Sequence, residues 1–350
     1  MRQIYISIIA IAVIAVLIIS LLYGLSYKPN VVNNGFKRNV RAQSIQKINS
    51  IKLKADNKLQ LVDVSVKDAY LFDILNSQFL IQNFKLDSER RLPFVLRDNK
   101  IPPEEFYALL LPPHAFLIAT REKEVIDYDF KNDTCVHYHL PFFFSRACLI
   151  SNGNFAIRKY YRDSTGSDYE LVKYSLKGNQ ISKTTSPFDR NNDGGFSTEG
   201  LLHYDSVSNS LVYVFYFSNR FLCMDTNLNI LYPGHTIDTF SRPQINVKRF
   251  GSGVNLGYSM SAPPKIINKL SCVNNGKLYI ASGIRADNES EKTFLENSVV
   301  DIYLIKDGSY QYSFYIPDTN KEKILEFRIS NNHIYTLTAH YLSTFNIEKD

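Results

Sequence analysis

The residues best suited to binding a metal ion form the segment 189–194, Asp-Arg-Asn-Asn-Asp-Gly. Its spacing matches the first half of the calcium loop D-x-[DN]-x-[DN]-G, in which alternate oxygen atoms converge on the ion and glycine allows a sharp turn. The twelfth position of that loop is Gly200, where a glutamate is usual. Asp189, Asn191 and Asp193 are therefore candidate Ca²⁺ ligands, and an Asx-rich turn is the alternative interpretation.

His137 and His139 are also candidate metal ligands, because alternate residues of a strand point to the same face. A protein zinc site needs three or four ligands, and no third ligand lies nearby in the sequence. Surface histidines on an outer strand are the favoured interpretation. The four cysteines have no C-x-x-C spacing, and the chain has no G-x-S-x-G or H-E-x-x-H motif. No catalytic residue can be assigned from motifs.

Tyrosine and arginine side chains offer a different chemistry, the recognition of a partner surface. Both residue types are enriched among the side chains that contribute most to binding energy at interfaces. They occur together in segments without a clear strand pattern, which we interpret as long connections. The candidate binding residues are Arg90, Arg91, Tyr160, Tyr161 and Arg162.

Short apolar segments at regular intervals indicate the elements that position these residues. Six hairpins recur, each with two strands and a tight turn, and their second strands begin at Tyr70, Phe116, Phe155, Leu211, Leu278 and Ile334. Each hairpin is followed by a strand with a large apolar residue before a polar turn: Phe84, Tyr128, Tyr174, Met224, Tyr303 and Phe345. Most of these units repeat at roughly 45 residues, which is typical of the blades of a β-propeller.

The repeat pattern resembles that of six-bladed β-propellers of the TolB-like and NHL-like kind, particularly their membrane-anchored bacterial examples. The resemblance covers nearly all of the chain after the N-terminal region and implies an all-β fold. It includes no catalytic motif, so it implies no reaction.

The two ends of the repeat region are expected to complete one blade together. The last repeat ends with only three strands, and the segment 49–54, Asn-Ser-Ile-Lys-Leu-Lys, alternates as an outermost strand would. We therefore expect residues 49–350 to form a propeller that the N-terminal strand closes. The long connections, at 88–104, 159–169, 182–198, 232–268 and 283–298, are expected to gather on one face of it.

Residues 1–25 are expected to form a transmembrane helix or signal anchor. Ile4 to Leu25 is a run of 22 residues without a charge, which as a helix would span about 33 Å and match a hydrocarbon core of roughly 30 Å. Four basic residues soon after the run would by themselves place the propeller domain in the cytoplasm. A three-residue tail before a long apolar run is instead typical of a signal anchor that exports the domain behind it. We expect an extracytoplasmic, periplasmic domain for this reason.

Residues 26–48 are rich in Asn, Lys and Arg and are expected to form a basic juxtamembrane linker. Two interpretations of this linker stay open, attraction to anionic lipid and a solvated tether. Residues 1–55 carry eight basic and no acidic residues, so the rest of the chain holds 32 basic and 34 acidic residues. That balance excludes nucleic acid as a partner, because neutralising phosphates requires an excess of Lys and Arg on the folded domain.

These patterns together predict a membrane-anchored, non-enzymatic propeller that binds a protein, peptide or glycan through its long-loop face. No cofactor is expected other than the candidate Ca²⁺. The alternative is a metal-dependent propeller hydrolase or lactonase with an ion near the central channel. Asp, Glu, Asn and His side chains at the channel mouth would favour the enzyme, and an apolar or tyrosine-lined mouth would favour binding.

Overall fold

The computed structural model describes residues 11–22, 33–41, 45–53, 58–76, 78–93, 101–102, 105–163, 166–251 and 256–348. Six sheets of four antiparallel strands follow one another along the chain, which confirms the predicted six-bladed, all-β fold. The first strand of each sheet contacts the first strands of both neighbouring sheets, so these six strands form a closed ring around a central channel.

Residues 11–22 are helical, and we call this described part of the helix α1; all of its side chains are exposed. Within the described ranges, no helix combines the length and the apolar character needed to cross a bilayer. Residues 4–10 and 23–25 of the predicted apolar segment lie outside those ranges.

The first three blades are formed by consecutive strands in the order of the chain. Blade 1 contains β2 (Leu59–Val64), β3 (Asp68–Asp73), β4 (Gln78–Asn83) and β5 (Glu89–Pro93). Blade 2 contains β6 (Phe106–Leu111), β7 (His114–Ala119), β8 (Glu124–Asp129) and β9 (Thr134–His139). Blade 3 contains β10 (Phe144–Ser151), β11 (Asn154–Asp163), β12 (Gly166–Ser175) and β13 (Gln180–Thr185).

Blades 4 and 5 are separated by an extra hairpin, and blade 6 contains strands from both ends of the chain. Blade 4 contains β14 (Gly200–Asp205), β15 (Ser210–Phe215), β16 (Arg220–Asp225) and β17 (Ile230–His235), and the hairpin of β18 (Val247–Phe250) and β19 (Gly257–Met260) follows it. Blade 5 contains β20 (Asn268–Asn274), β21 (Lys277–Ser282), β22 (Asn297–Leu304) and β23 (Tyr310–Pro317), with helix α2 (Glu291–Glu296) between its second and third strands. Blade 6 contains β24 (Glu326–Ser330), β25 (His333–Leu337), β26 (Tyr341–Ile347) and β1 (Ile45–Lys52).

The N-terminal strand β1 pairs antiparallel with β26 and is the outermost strand of blade 6. It begins at Ile45, four residues before the expected position. Its register runs from Ile45 opposite Ile347 to Lys52 opposite Tyr341. The two ends of the chain are therefore joined by backbone hydrogen bonds within one sheet.

The apolar core lies between the blades. Six clusters of buried residues each combine side chains from two consecutive blades, and one of them joins blade 6 to blade 1. Five of the six predicted apolar anchors are buried in the third strands of their blades. Phe84 differs because it follows β4, where it is half-buried and its ring stacks on His333 with centroids 3.7 Å apart.

Tight turns join the first and second strands of the blades at the opposite end from the long connections. At Asn275-Gly276 both φ angles are positive, +50° and +72°, as the predicted Asn-Gly hairpin turn requires. We call the side with these turns the short-turn face. The long-loop face is the other side, where second strands connect to third strands and each blade connects to the next.

Residues 33–41, which we call the N-terminal strap, lie within the predicted basic juxtamembrane linker and pack against the propeller. The side chains of Phe36 and Arg38 are buried against blade 5, where Phe36 packs with Ile267, Ile284 and Ala286. The strap also joins the outer strand of this blade through its backbone, since the Arg41 N–H group donates to the Ser313 oxygen at 3.0 Å. Neither lipid attraction nor a solvated tether, the two interpretations of the polar, basic composition, includes this packing, in which the alternate residues Phe36, Arg38 and Val40 face the propeller.

Candidate functional site

The long-loop face carries the irregular and extended segments of the propeller. These are the connection from β13 to β14, the connection from β17 to β20 that contains the extra hairpin, and the connection from β21 to β22 that contains α2. The hairpin of β11 and β12 also reaches this face, because its strands have ten residues each where most strands of the propeller have six. This blade therefore projects beyond its neighbours.

Tyr160, Tyr161 and Arg162 lie in strand β11, so their assignment to a loop was wrong. They pair with Tyr169, Asp168 and Ser167 of β12. The sequence Tyr-Tyr-Arg-Asp is half polar and lacks the apolar alternation of the other strands, which is why it resembled a connection. Arg162 is exposed and both tyrosines are half-buried. Because successive strand residues point to opposite faces, Tyr160 and Arg162 share one face of the hairpin and Tyr161 lies on the other.

The candidate calcium ligands lie in the connection before β14 and have protein partners. Asp189 forms an ion pair with Arg220, and Asn191 donates a hydrogen bond to the Ser197 hydroxyl at 2.7 Å. The Asp193 carboxylate accepts hydrogen bonds from the backbone N–H groups of Gly195 (2.9 Å) and Ser197 (3.0 Å). This is the geometry of an Asx-rich turn. Calcium binding here stays a prediction.

Arg90 and Arg91 lie in β5, the outermost strand of blade 1, and not in a long connection. The Arg91 guanidinium is 3.0 Å from Glu89, and that of Arg90 is 3.8 Å from Asp68. Both are exposed on a blade separate from the β11–β12 hairpin. The structure therefore does not bring them together with Tyr160, Tyr161 and Arg162.

His137 lies in β9, the outermost strand of blade 2, as the favoured interpretation placed it. Its Nδ1 is 2.5 Å from the Glu124 carboxylate, and its Nε2 is 3.6 Å from the Cys135 thiol. Among the residues that the structure describes, no three His, Cys, Asp or Glu side chains form a group suited to hold a metal ion.

Segments from three parts of the chain meet where β11 ends and β12 begins, and we call their contact region the hairpin cluster: residues 160–163 and 166–169, 189–198, and 256–260. Arg190 donates a hydrogen bond to the Tyr161 hydroxyl at 2.9 Å and pairs with Asp163. Gly194 has φ +70°, and a Cβ there would lie 2.8 Å from the Tyr258 ring. The structure thus joins two of the predicted site segments, 160–162 and 189–193.

Arg158 is a buried residue of β11 that binds two of the segments of this cluster together, and sequence reasoning did not find it. It is fully buried, and its guanidinium carbon lies 3.6 Å from the centre of the Tyr169 ring. The guanidinium donates to Glu199 (2.7 Å) and to the backbone oxygen of Gly195 (2.8 Å), so it connects β11 to the segment before β14. The only signal in the sequence is an arginine directly after the apolar residues 155–157.

The channel mouth on this face carries arginine, glutamate and tyrosine. The Arg146 Nε atom is 3.3 Å from the Glu199 carboxylate, and its NH2 group donates to the Tyr216 hydroxyl at 3.3 Å. Burial disfavours the charge of Arg146, but neighbouring tyrosines and Glu199 raise its pKa above the ordinary value. Arg146 therefore presents a permanent positive charge, with 38% of its side chain exposed.

Side chains on the first strands also cap the free edges of neighbouring first strands inside the channel. The Gln60 side chain accepts a hydrogen bond from the Ala108 N–H group at 2.8 Å. The Tyr107 hydroxyl accepts one from the Ala147 N–H group, also at 2.8 Å. Glu326 accepts from the N–H group of Leu61 at 3.1 Å. Unpaired strand edges are unfavourable when buried, so these contacts hold consecutive blades in register.

The channel holds both ionised and neutral groups. Burial, together with the nearby charges of Arg328 and Arg146, lowers the pKa of His203 to about 3, so this imidazole is neutral near pH 7. One ring nitrogen of His203 is 2.7 Å from the Ser271 hydroxyl. Burial raises the pKa of Glu326 to about 6, although Arg328 and the Leu61 N–H group act in the opposite direction.

We expect Glu326→Gln to stabilise the protein at neutral pH. The folded-state pKa of Glu326 is raised, so folding favours the protonated carboxyl group. The contribution of Glu326 to the free energy of unfolding is therefore complete below about pH 4.5 and is lost as the pH rises through about 6. The glutamine oxygen can still accept from Leu61. E326Q should therefore match the wild type in acid and exceed it by about 2 kcal/mol above pH 7, measured by urea unfolding across that range.

Glu322→Gln provides the matched control. Hydrogen bonds from Thr338 and His340 lower the pKa of Glu322, with burial acting in the opposite direction. Folding therefore favours the ionised Glu322, and its contribution to the free energy of unfolding is present above its ordinary pKa and is lost in acid. E322Q should be less stable than the wild type at neutral pH. A stability difference for E326Q that does not change with pH would contradict the assignment of Glu326.

Comparisons with known proteins show the fold. A crystal structure of a predicted exported protein from Bacteroides fragilis superposes with a TM-score of 0.51 at 11% identity, covering 90% of this chain and 99% of that one. A member of the DUF4221 family from Bacteroides vulgatus superposes with a TM-score of 0.51 at 10% identity, covering 90% and 100%. No family model and no curated protein matches the sequence. Similarity at this identity supports the propeller fold alone.

Proposed function

We propose that this protein is a membrane-anchored, extracytoplasmic binding scaffold whose long-loop face recognises a protein, peptide or glycan. The observation that carries the proposal is the hairpin cluster, where a long, regular hairpin presents Tyr160, Tyr161 and Arg162 beyond the neighbouring blades. The anchor and the location rest on the apolar run Ile4–Leu25 and its short N-terminal tail.

The cluster suits binding because its half-buried tyrosines are held in place by neighbouring side chains. Tyr160 packs edge-to-face on Tyr169 with ring centroids 5.5 Å apart, and Arg190 holds the Tyr161 hydroxyl. Arg158 fixes the strand below them. A surface that is already ordered loses little side-chain entropy on binding, so more of the contact energy appears as affinity. Tyrosine and arginine also suit peptide and glycan surfaces, which offer both apolar and polar groups.

A photo-crosslinking amino acid at Arg162 should capture the partner in cells of the source organism. The same amino acid at Val207, which is 68% exposed in a turn of the short-turn face, provides the control. We expect an adduct of discrete mass from position 162 and none from position 207. Tyr161→Phe, which removes the hydroxyl that Arg190 contacts and keeps the ring, should weaken that adduct with a loss of at most about 1 kcal/mol in stability. Adducts from position 207 alone would assign binding to the other face.

A further inference from the structure

The chain enters the propeller at its long-loop face. The Asn34 side-chain amide donates to the backbone oxygen of Arg285 at 2.8 Å, and the Asn34 N–H group donates to Asp287 at 2.7 Å. The Thr239 hydroxyl donates to the backbone oxygen of Asn34 at 2.6 Å. Thr239 follows blade 4, and residues 285–287 follow β21, so both contacts belong to connections on this face.

The position of this entry point is fixed by the N-terminal strap. Phe36 lies in an apolar cluster with Ile267, Ile284 and Ala286, and Arg38 is buried two residues later. The strap then continues beside β23 towards β1 at the periphery of the propeller. Residue 33 therefore keeps a defined place at the edge of the long-loop face.

The proposed anchor segment Ile4–Leu25 lies only eight residues before residue 33 in the sequence. Eight residues span at most about 28 Å. With that segment in a membrane, the long-loop face is the side of the propeller nearer to the bilayer.

The connection next to the entry point is basic, and we call its described residues, 236–251 and 256–267, the basic insertion. Its basic residues are Arg242, Lys248, Arg249 and Lys265, and its acidic residue, Asp238, is 5% exposed. In the described part of the chain, no carboxylate forms an ion pair with Arg242, Lys248 or Arg249, and all three are exposed.

Large apolar side chains accompany these charges. Phe250 is 56% exposed at the end of β18, directly after Arg249, and Ile266 is 42% exposed. Basic side chains with neighbouring exposed aromatic and aliphatic groups suit the interface of a bilayer, where the charges attract anionic headgroups and the apolar groups enter the acyl boundary.

We propose that the basic insertion lies on the anionic surface of the membrane that holds the anchor. This inference rests on the anchor of the proposed function and adds a direct contact between the propeller and lipid. It also restricts the partner of the hairpin cluster, which shares residues 256–260 with the insertion, to molecules found at the membrane surface.

The absence of tryptophan from the sequence allows a direct test. In the full-length chain, Phe250→Trp and Val207→Trp each introduce a single tryptophan, on the long-loop and the short-turn side of the protein. With vesicles of phosphatidylglycerol and brominated phosphatidylcholine, we expect the F250W emission to shift to the blue and to be quenched, while V207W emission stays unchanged. Unquenched F250W in these vesicles, or equal quenching of both tryptophans, would overturn the inference.

Charge reversal tests the cause of the contact. Adding Lys248→Glu and Arg249→Glu to F250W should weaken its lipid quenching at least tenfold at low salt, because each basic residue contributes to attraction by anionic lipid. Lys131→Glu with Lys177→Glu, on the short-turn face, is the matched control and should leave quenching unchanged. Equal effects of the two pairs would refute a specific role of the insertion.

Extraction separates this inference from the proposed anchor. Full-length protein that alkaline carbonate removes from the vesicles would contradict the anchor, and F250W quenching before extraction would still support lipid contact by the insertion. Protein that resists carbonate while F250W stays unquenched would support the anchor and refute the inference. Protein that does not bind the vesicles at low salt would refute both.

Discussion

Replacing Arg38 with methionine should lower the free energy of unfolding by about 3–5 kcal/mol, because it leaves buried carboxylates without their cation. The Arg38 guanidinium donates to both carboxylate oxygens of Asp301, at 2.8 and 3.2 Å, and pairs with Glu289. Asp301 and Glu289 are 2% and 8% exposed, so water cannot replace the lost contact. Urea unfolding at neutral pH measures the change.

The balance of forces at Arg38 explains why the effect should be large. Burial disfavours its charge, but the charges and hydrogen bonds of Asp301 and then Glu289 outweigh burial and raise the pKa of Arg38 above its ordinary value. The carboxylates have further donors, the Ser313 hydroxyl on Asp301 and the Tyr315 hydroxyl on Glu289, each at 2.5 Å. Those neutral donors cannot compensate two buried negative charges.

Two variants make this result specific. Lys37→Met changes the exposed neighbour and should alter stability by no more than about 0.5 kcal/mol. Combining R38M with Asp301→Asn and Glu289→Gln removes the charges together and should recover part of the loss, because an ion cluster replaced as a whole costs much less than one broken by a single change. An equal loss in K37M and R38M would contradict the role of the buried cluster.

The fold could be predicted because its signals are local and repeated. A hairpin such as the one with Asn275-Gly276 indicates its own turn, and apolar residues such as Tyr303 and Phe345 recur at the same place in each blade. Six weak signals at a regular spacing reinforce one another, and each repeat buries its apolar residues against the next blade. The number of blades therefore followed from the sequence.

The binding segments were harder to assign because their structure depends on distant partners. Arg38 appears in a polar, basic segment, and its carboxylate partners lie about 250 residues further along the chain. The Tyr-Tyr-Arg sequence of β11 has no apolar alternation because both faces of a projecting hairpin meet polar groups and solvent. Neither composition nor periodicity reports such contacts, so the sequence indicated the residue types but not their placement.

Removal of strand β1 should have the other large effect, the loss of a stable closed propeller. β1 supplies the backbone partners of β26, and Ile45 and Ile51 pack on the clusters on either side of blade 6. Without it, β26 would present an unpaired edge that can associate with other chains. We expect a chain that starts at residue 53 to be aggregated or largely unfolded in size-exclusion chromatography and thermal melts.

Two longer chains separate the contribution of β1 from that of the N-terminal strap. A chain that starts at residue 33 keeps both and should melt as a closed propeller, whereas one that starts at residue 42 loses Arg38 and should show a destabilisation like that of R38M.

A synthetic peptide of residues 45–53, added to the chain that starts at residue 53, should restore part of the folded fraction because it can pair with β26. The strap and β1 act at different places, since the strap neutralises buried carboxylates in blade 5 and β1 completes the sheet of blade 6. Equal melting temperatures for the chains that start at 42 and 53 would therefore show that backbone pairing with β26 does not hold the ring closed.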